Sequence, residues 1–131
     1  MTTPTSKRQF FEEHMRYVAA QDIDTMVNQT YTDDAILYHN FPYFDGPPPY
    51  IHQGKEAIIK AQRTIFDPRN HGAIEAGAPF NFIEGDDFIF FQIPIKTPDR
   101  GNWVNTDFWA IRDNKLAYQF VFGYPVSSPS I

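Results

Sequence analysis

The sequence predicts an α+β domain in which helices come first and a strongly bent, mostly antiparallel sheet wraps against them. Three observations carry this. Apolar residues recur at helical spacing in Lys7–Gln21 and Lys55–Phe66, the chain beyond Ile74 alternates as strands do, and Asn102–Pro125 reads as one long aromatic hairpin. At 131 residues the chain suits one domain with a real core and is short for two, so residues 1–131 are read as a single unit.

In chain order, Met1 to Thr5 reads as a loose tail, and Ser6 as the N-cap of a helix that places Phe10, Phe11, His14, Tyr17 and Val18 on one side. His14 and Tyr17 are three residues apart, so their polar tips point towards whatever that helix covers. Asp22 is a candidate cap for a second helix with Ile23, Met26 and Val27 inward. Tyr31 to Asp34 is polar, and the next seven residues, AILYHNF, read as a strand in which His39 shares a face with Ala35, Leu37 and Phe41. The following FPYFDGPPPYIHQG holds four prolines, two glycines and four aromatics, which excludes helix or central strand and predicts a stiff loop. So much aromatic surface needs something to cover, so the loop is read as a lid or rim, with His52 facing solvent.

Gly54 precedes a third helix with Ile58, Ala61 and Ile65 inward, ended by DPRNHG; His71 in that turn is given no role. Strands follow from Ile74 to Glu84, broken at Gly77 and Pro79, and in FIFFQIPIK, apolar on both faces as a central strand is. In the last hairpin Asp113 and Asn114 are the two loop residues, so that Trp109 faces Tyr118 and Asp107 faces Phe120. One face then carries Asn105, Asp107, Trp109, Ile111, Leu116, Tyr118, Phe120 and Phe122. Asp107 is the one carboxylate on this aromatic wall. Lost hydration disfavours its charged form, which marks it as a candidate functional acid; the alternative is a buried tie of the sheet to an indole or hydroxyl.

Composition narrows the chemistry. Thirteen Phe and seven Tyr supply stiff apolar surface suited to lining a pocket. A net charge of −5 disfavours phosphate-rich partners, so nucleic acid is not expected. The absence of Cys removes disulfides, thiolate nucleophiles and Cys-based metal sites. No apolar leader or membrane-length window occurs, so a cytoplasmic protein with no membrane partner is expected.

Four stretches, RYVAAQDID at Arg16–Asp24, YTDDAILYHN at Tyr31–Asn40, GKEAI at Gly54–Ile58 and DFWAIRDNKLAYQFVFGYP at Asp107–Pro125, together resemble the NTF2-like superfamily. That group includes SnoaL-like polyketide cyclases, ketosteroid isomerases, scytalone dehydratase and limonene epoxide hydrolase. The resemblance implies a cone of three N-terminal helices packed on a curved sheet around a hydrophobic cavity. It also implies a small hydrophobic ligand, no cofactor and no metal. The other hairpin face, with Phe108, Ala110, Ala117 and Val121, is apolar enough to bury against a second copy of the chain, so a homodimer is expected.

The nearest pattern is that of ketosteroid isomerase, in which a Tyr and a protonated Asp hold an oxyanion and another Asp is the base. The Arg16-Tyr17 pair matches the Tyr position and Asp107 the protonated acid, while His39 stands where that family has its base. The implied site is therefore Tyr17, His39 and Asp107 as catalytic residues, with His14, Phe41, Tyr43, Tyr50, Trp109, Tyr118 and Phe120 against the substrate. The reaction implied is proton transfer on a hydrophobic carbonyl or polyketide-like compound, of isomerase, cyclase or dehydratase (lyase) type. A metal set of His14, His39 and Asp107, an epoxide-hydrolase pairing of Arg112 with Asp107, and a non-catalytic ligand-binding or dimerisation module are the other readings.

Overall fold

A computed structural model of the chain describes residues 6–127. Helix α1 (Lys7–Ala19) starts at Ser6, whose hydroxyl accepts from the Gln9 N–H at 3.1 Å. Helix α2 (Ile23–Thr30) follows, with Asp22 at the N-cap position but making no side-chain capping bond. Strand β1 (Tyr31–His39) begins four residues earlier than the sequence suggests, because Tyr31 and Thr32 are buried. The Pro-rich segment ends in a short edge strand, β2 (Tyr50–Gln53), antiparallel to β1, where a loop is expected from sequence. Beyond the last proline nothing removes the N–H donors, so the chain can pair again. Helix α3 (Lys55–Phe66) and the short α4 (Pro68–His71) precede β3 (Glu75–Ala76), β4 (Phe80–Glu84), β5 (Phe88–Thr97), β6 (Gly101–Arg112) and β7 (Lys115–Pro125).

The strand order is β2-β1-β7-β6-β5-β3, with β4 also pairing β5; β1 and β7 run parallel and the other pairs antiparallel. The helices and the inner sheet face meet in a core of Phe10, Phe11, Met26, Val27, Leu37, Ile58, Phe91 and Trp109.

The β6–β7 turn is the expected pair, Asp113 and Asn114, with φ of 54° and 59°. Both in the left-handed region is the two-residue hairpin geometry matching strand twist. Asn114→Ala is expected to lower stability by about 1 kcal/mol in a urea titration, because Asn tolerates that region better than Ala.

Immediately after the turn the register departs from the sequence expectation. Arg112 pairs with Lys115 and Ile111 with Leu116, but Ala110 pairs with Tyr118, so one extra residue bulges from β7 at Ala117. A one-residue slip turns every later side chain to the other face. Gln119 and Val121 therefore point inward, and Tyr118, Phe120 and Phe122 point outward, against Phe108 and Tyr38.

Candidate active site

Between the helices and the inner sheet face lies a cavity of about 400 Å³. Its floor is apolar, with Leu37, Ile65, Phe91, Ile93, Ile95, Trp109 and Val121, and Phe41 closes one side. Among its lining residues Ala19, Gln21, Ala73 and Ala76 are exposed, which puts the mouth between the end of α1 and the segment after α4. Five buried polar side chains line the interior: His14, Gln62, Asn105, Asp107 and Gln119.

Asp107 sits on the inner face of β6, paired with Val121. Its Oδ2 accepts from the Trp109 indole N–H at 3.1 Å, while Oδ1 is buried with no hydrogen-bond partner. Burial pushes this carboxyl up to about 7, and the Trp109 bond holds it back only in part. Half a charge at neutral pH in an apolar cavity is a state suited to proton transfer.

His14, on α1, is 3% exposed. The Thr30 hydroxyl donates to the Met26 carbonyl at 2.6 Å, so its oxygen accepts from His14 Nδ1–H at 3.2 Å. That fixes the tautomer with Nε2 as the acceptor, and burial lowers the imidazole to about 3, so it is neutral at pH 7. The ring packs 4.6 Å from that of Trp109, which brings His14 and Asp107 around one indole.

Gln119, delivered inward by the bulge, accepts through Oε1 from the Tyr31 hydroxyl, which itself accepts from Gln62 Nε2 at 3.1 Å. Burial raises the Tyr31 phenol above its ordinary value, so this relay stays neutral.

Of the residues expected from sequence, His14, Phe41, Asp107 and Trp109 line the cavity. Tyr17 does not: it lies about 60° round from His14 on the side away from Val18 and Met15, and its hydroxyl meets Glu13 at 3.5 Å. His39 is fully buried, but under the loop rather than in the cavity, among Phe41, Phe44 and Tyr50. Its Nδ1 accepts from the Phe41 N–H at 3.0 Å, which leaves the proton on Nε2, directed at His52 Nε2 at 3.0 Å. Both nitrogens are engaged, and burial, with His52 beside it, lowers His39 to about 4. His52, expected in solvent, is half-buried in this pair.

Tyr43 stacks on His71 at 3.8 Å and donates to Asp99, beside the cavity, and Tyr50 donates to the Gly46 carbonyl. Only Phe41 of the Pro-rich loop reaches the cavity, so that loop is a rim. Tyr118 and Phe120 lie on the opposite sheet face, for the register reason given above. Arg112 bonds to Asp34, away from Asp107, so the epoxide-hydrolase pairing is not assembled. No group of three metal-ligating side chains is gathered among the described residues, and His39 stands apart from His14 and Asp107.

Gln62, Asn105, Gln119 and Tyr31 are not among the site residues the sequence points to. A signal existed for Gln62, which lies four residues from Ile58 and three from Ile65 on the inward stripe of α3. None existed for Gln119, because the bulge is invisible to period-two counting.

No family model matches the chain, and no curated protein matches it. Solved structures do. An NTF2-like protein of unknown function from Cytophaga hutchinsonii superposes with a TM-score of 0.69 at 9% identity, covering 95% of this chain and 96% of that one. A candidate ketosteroid isomerase from Kribbella flavida gives 0.69 at 9% identity over 95% and 82% of the two chains. A candidate polyketide cyclase from Sinorhizobium meliloti gives 0.68 at 16% identity over 86% and 92%. Likeness at such identity speaks to architecture alone, and the helices packed on a curved sheet agree with it throughout. The chain has the NTF2-like fold.

Proposed function

We propose that the protein is an enzyme working without cofactor or metal, which moves a proton next to the carbonyl of a hydrophobic substrate, with Asp107 as the proton carrier. The observation that carries this reading is Asp107 itself: a carboxyl that lines a largely apolar cavity and keeps one buried oxygen without a hydrogen-bond partner. Such a group costs stability, which is typical of a working site rather than of a structural tie. His39 and Tyr17 do not border the cavity, so the role of base passes from His39 to Asp107. His14 remains neutral and offers Nε2 as an acceptor for a substrate hydroxyl. The names of similarly folded proteins, a ketosteroid isomerase and a polyketide cyclase among them, fit isomerase or cyclase chemistry of this kind.

The test needs no knowledge of the natural substrate. The protein is incubated with 2-tetralone in D2O, and exchange of its α-protons is followed by NMR. Acceleration over buffer is expected; binding without exchange would favour the non-catalytic ligand-binding module instead.

The same reading includes a homodimer through the outer sheet face, where the bulge turns Val121 inward and brings Tyr118 and Phe122 out beside Phe108. Tyr118, Phe122, Phe108 and Ile51 are 42%, 37%, 39% and 58% exposed there. An apolar face of that extent suits a twofold copy of itself. Tyr118→Lys is expected to halve the mass in light scattering; an unchanged mass would count against this face.

A further inference from the structure

The cavity's polar wall contains a second feature that the proton carrier leaves unexplained. Tyr31 is completely buried and has one hydroxyl hydrogen. Because that oxygen accepts from Gln62 Nε2, its hydrogen is given to Gln119, and the end of the Gln119 amide facing Tyr31 is Oε1. Nε2 must then face the other way. Among the described residues it has no protein partner, and it is not one of the fully buried unpartnered atoms. Gln119 is 4% exposed and lines the cavity, so the space it meets is the cavity.

Its position relative to Asp107 follows from register. Trp109 pairs with Gln119 and Asp107 with Val121, so Asp107 and Gln119 are diagonal neighbours on the inner face of β6 and β7. The opposite relay, with Gln119 donating to Tyr31 and Tyr31 to Gln62, would leave an amide oxygen on the wall beside a carboxylate. The donor-outward arrangement complements that charge instead. Neither Lys nor Arg lines this cavity, so nothing in it neutralises an anionic substrate.

We propose that Gln119 is the oxygen-binding residue of the site, held by Tyr31 and Gln62 so that Nε2 donates to one carbonyl oxygen of an uncharged substrate while Asp107 acts on the neighbouring carbon. Tyr31 and Gln62 are positioning residues in this scheme. The inference rests on the proton-transfer reading above and adds to it the group that holds the developing enolate oxygen, where a preorganised donor in a dry site acts most strongly.

The test compares two ligands of one shape, 2-acetylnaphthalene and 2-isopropenylnaphthalene, the second with CH2 in place of the carbonyl oxygen. Wild-type protein is expected to prefer the ketone. Gln119→Met should weaken ketone binding about tenfold and leave the alkene unchanged, the worth of one hydrogen bond. Tyr31→Phe, which keeps the ring but frees the amide to turn, should remove part of the same preference. Loss of packing would weaken both ligands alike, so the ratio isolates the donor. A preference that survives in both variants overturns the proposal. So does equal binding of both ligands to wild-type protein, and if 2-tetralone exchange persists in that case, the role of Asp107 stands without Gln119. Failure to bind either ligand, together with no exchange, overturns the proton-transfer reading and this inference with it.

Discussion

Asp107→Asn is expected to slow α-proton exchange of 2-tetralone by about 10²- to 10⁴-fold, the usual contribution of a positioned proton-transfer group. The substitution is nearly isosteric, and the amide oxygen can still accept from the Trp109 indole, so the cavity should keep its shape. What disappears is the ability to take up a proton. A base acts in its ionised form, so exchange by the wild-type protein should rise with pH and reach half its plateau near 7, where burial has placed the carboxyl. An ordinary aspartate would instead have reached its plateau by about pH 5. His39→Gln should leave exchange within a few-fold, because both its ring nitrogens are engaged outside the cavity. Exchange that survives Asp107→Asn but vanishes with His39→Gln would reverse the assignment.

The same Asp107→Asn protein is expected to be more stable than wild type at pH 8, by an amount that shrinks towards pH 4. The folded carboxyl titrates near 7, against 3.8 for the ordinary group. Between those values the folded protein binds more protons than the unfolded chain, so stability falls as pH rises through the window. The full difference is on the order of 4 kcal/mol, reached once the folded carboxyl is ionised. Asn carries no such dependence. Urea midpoints of the two proteins at pH 4, 6 and 8 measure this directly, and parallel curves would show that Asp107 ionises as freely folded as unfolded.

His14 and His39 act with the opposite sign. Their folded values, about 3 and about 4, lie below the ordinary 6.5, so the unfolded chain takes up protons first as pH falls. Each contributes stability that is present above 6.5 and lost progressively towards its folded value. Burial lowers His52 in the same direction, so below about pH 6.5 in the wild type the Asp107 gain offsets only part of these losses. Asp107→Asn should therefore be more acid-sensitive than its parent, even though it is the more stable protein at pH 8.

Much of the site's ambiguity comes from two kinds of local event. His39 has the face the strand pattern predicts, alongside Ala35 and Leu37, and is fully buried. What removes it from the cavity is the backbone turn just beyond it, where the Phe41 N–H caps Nδ1 and the loop folds Phe44 and Tyr50 over the ring. Tyr17 fails for a simpler reason. It sits about 60° round from His14 on the side away from Val18 and Met15, which do line the cavity.

Most element types, the cap at Ser6, the turn at Asp113-Asn114, the inward stripe of α1 and the burial of Asp107 are legible in the sequence; the strand β2, hidden behind prolines, is not. All the legible features depend on neighbours a few residues away, or on an alternation that the inner face of β6 keeps from Asn105 to Ile111. Which side chains meet in the cavity depends on the folded sheet, not on the pattern along any one segment. One extra residue at Ala117 inverts the remainder of β7, exchanging Tyr118 and Phe120 for Gln119 and Val121, and Gln119 then finds Tyr31 and Gln62 from distant parts of the chain. A bulge is selected by packing across the sheet, and no periodicity within a single strand records it.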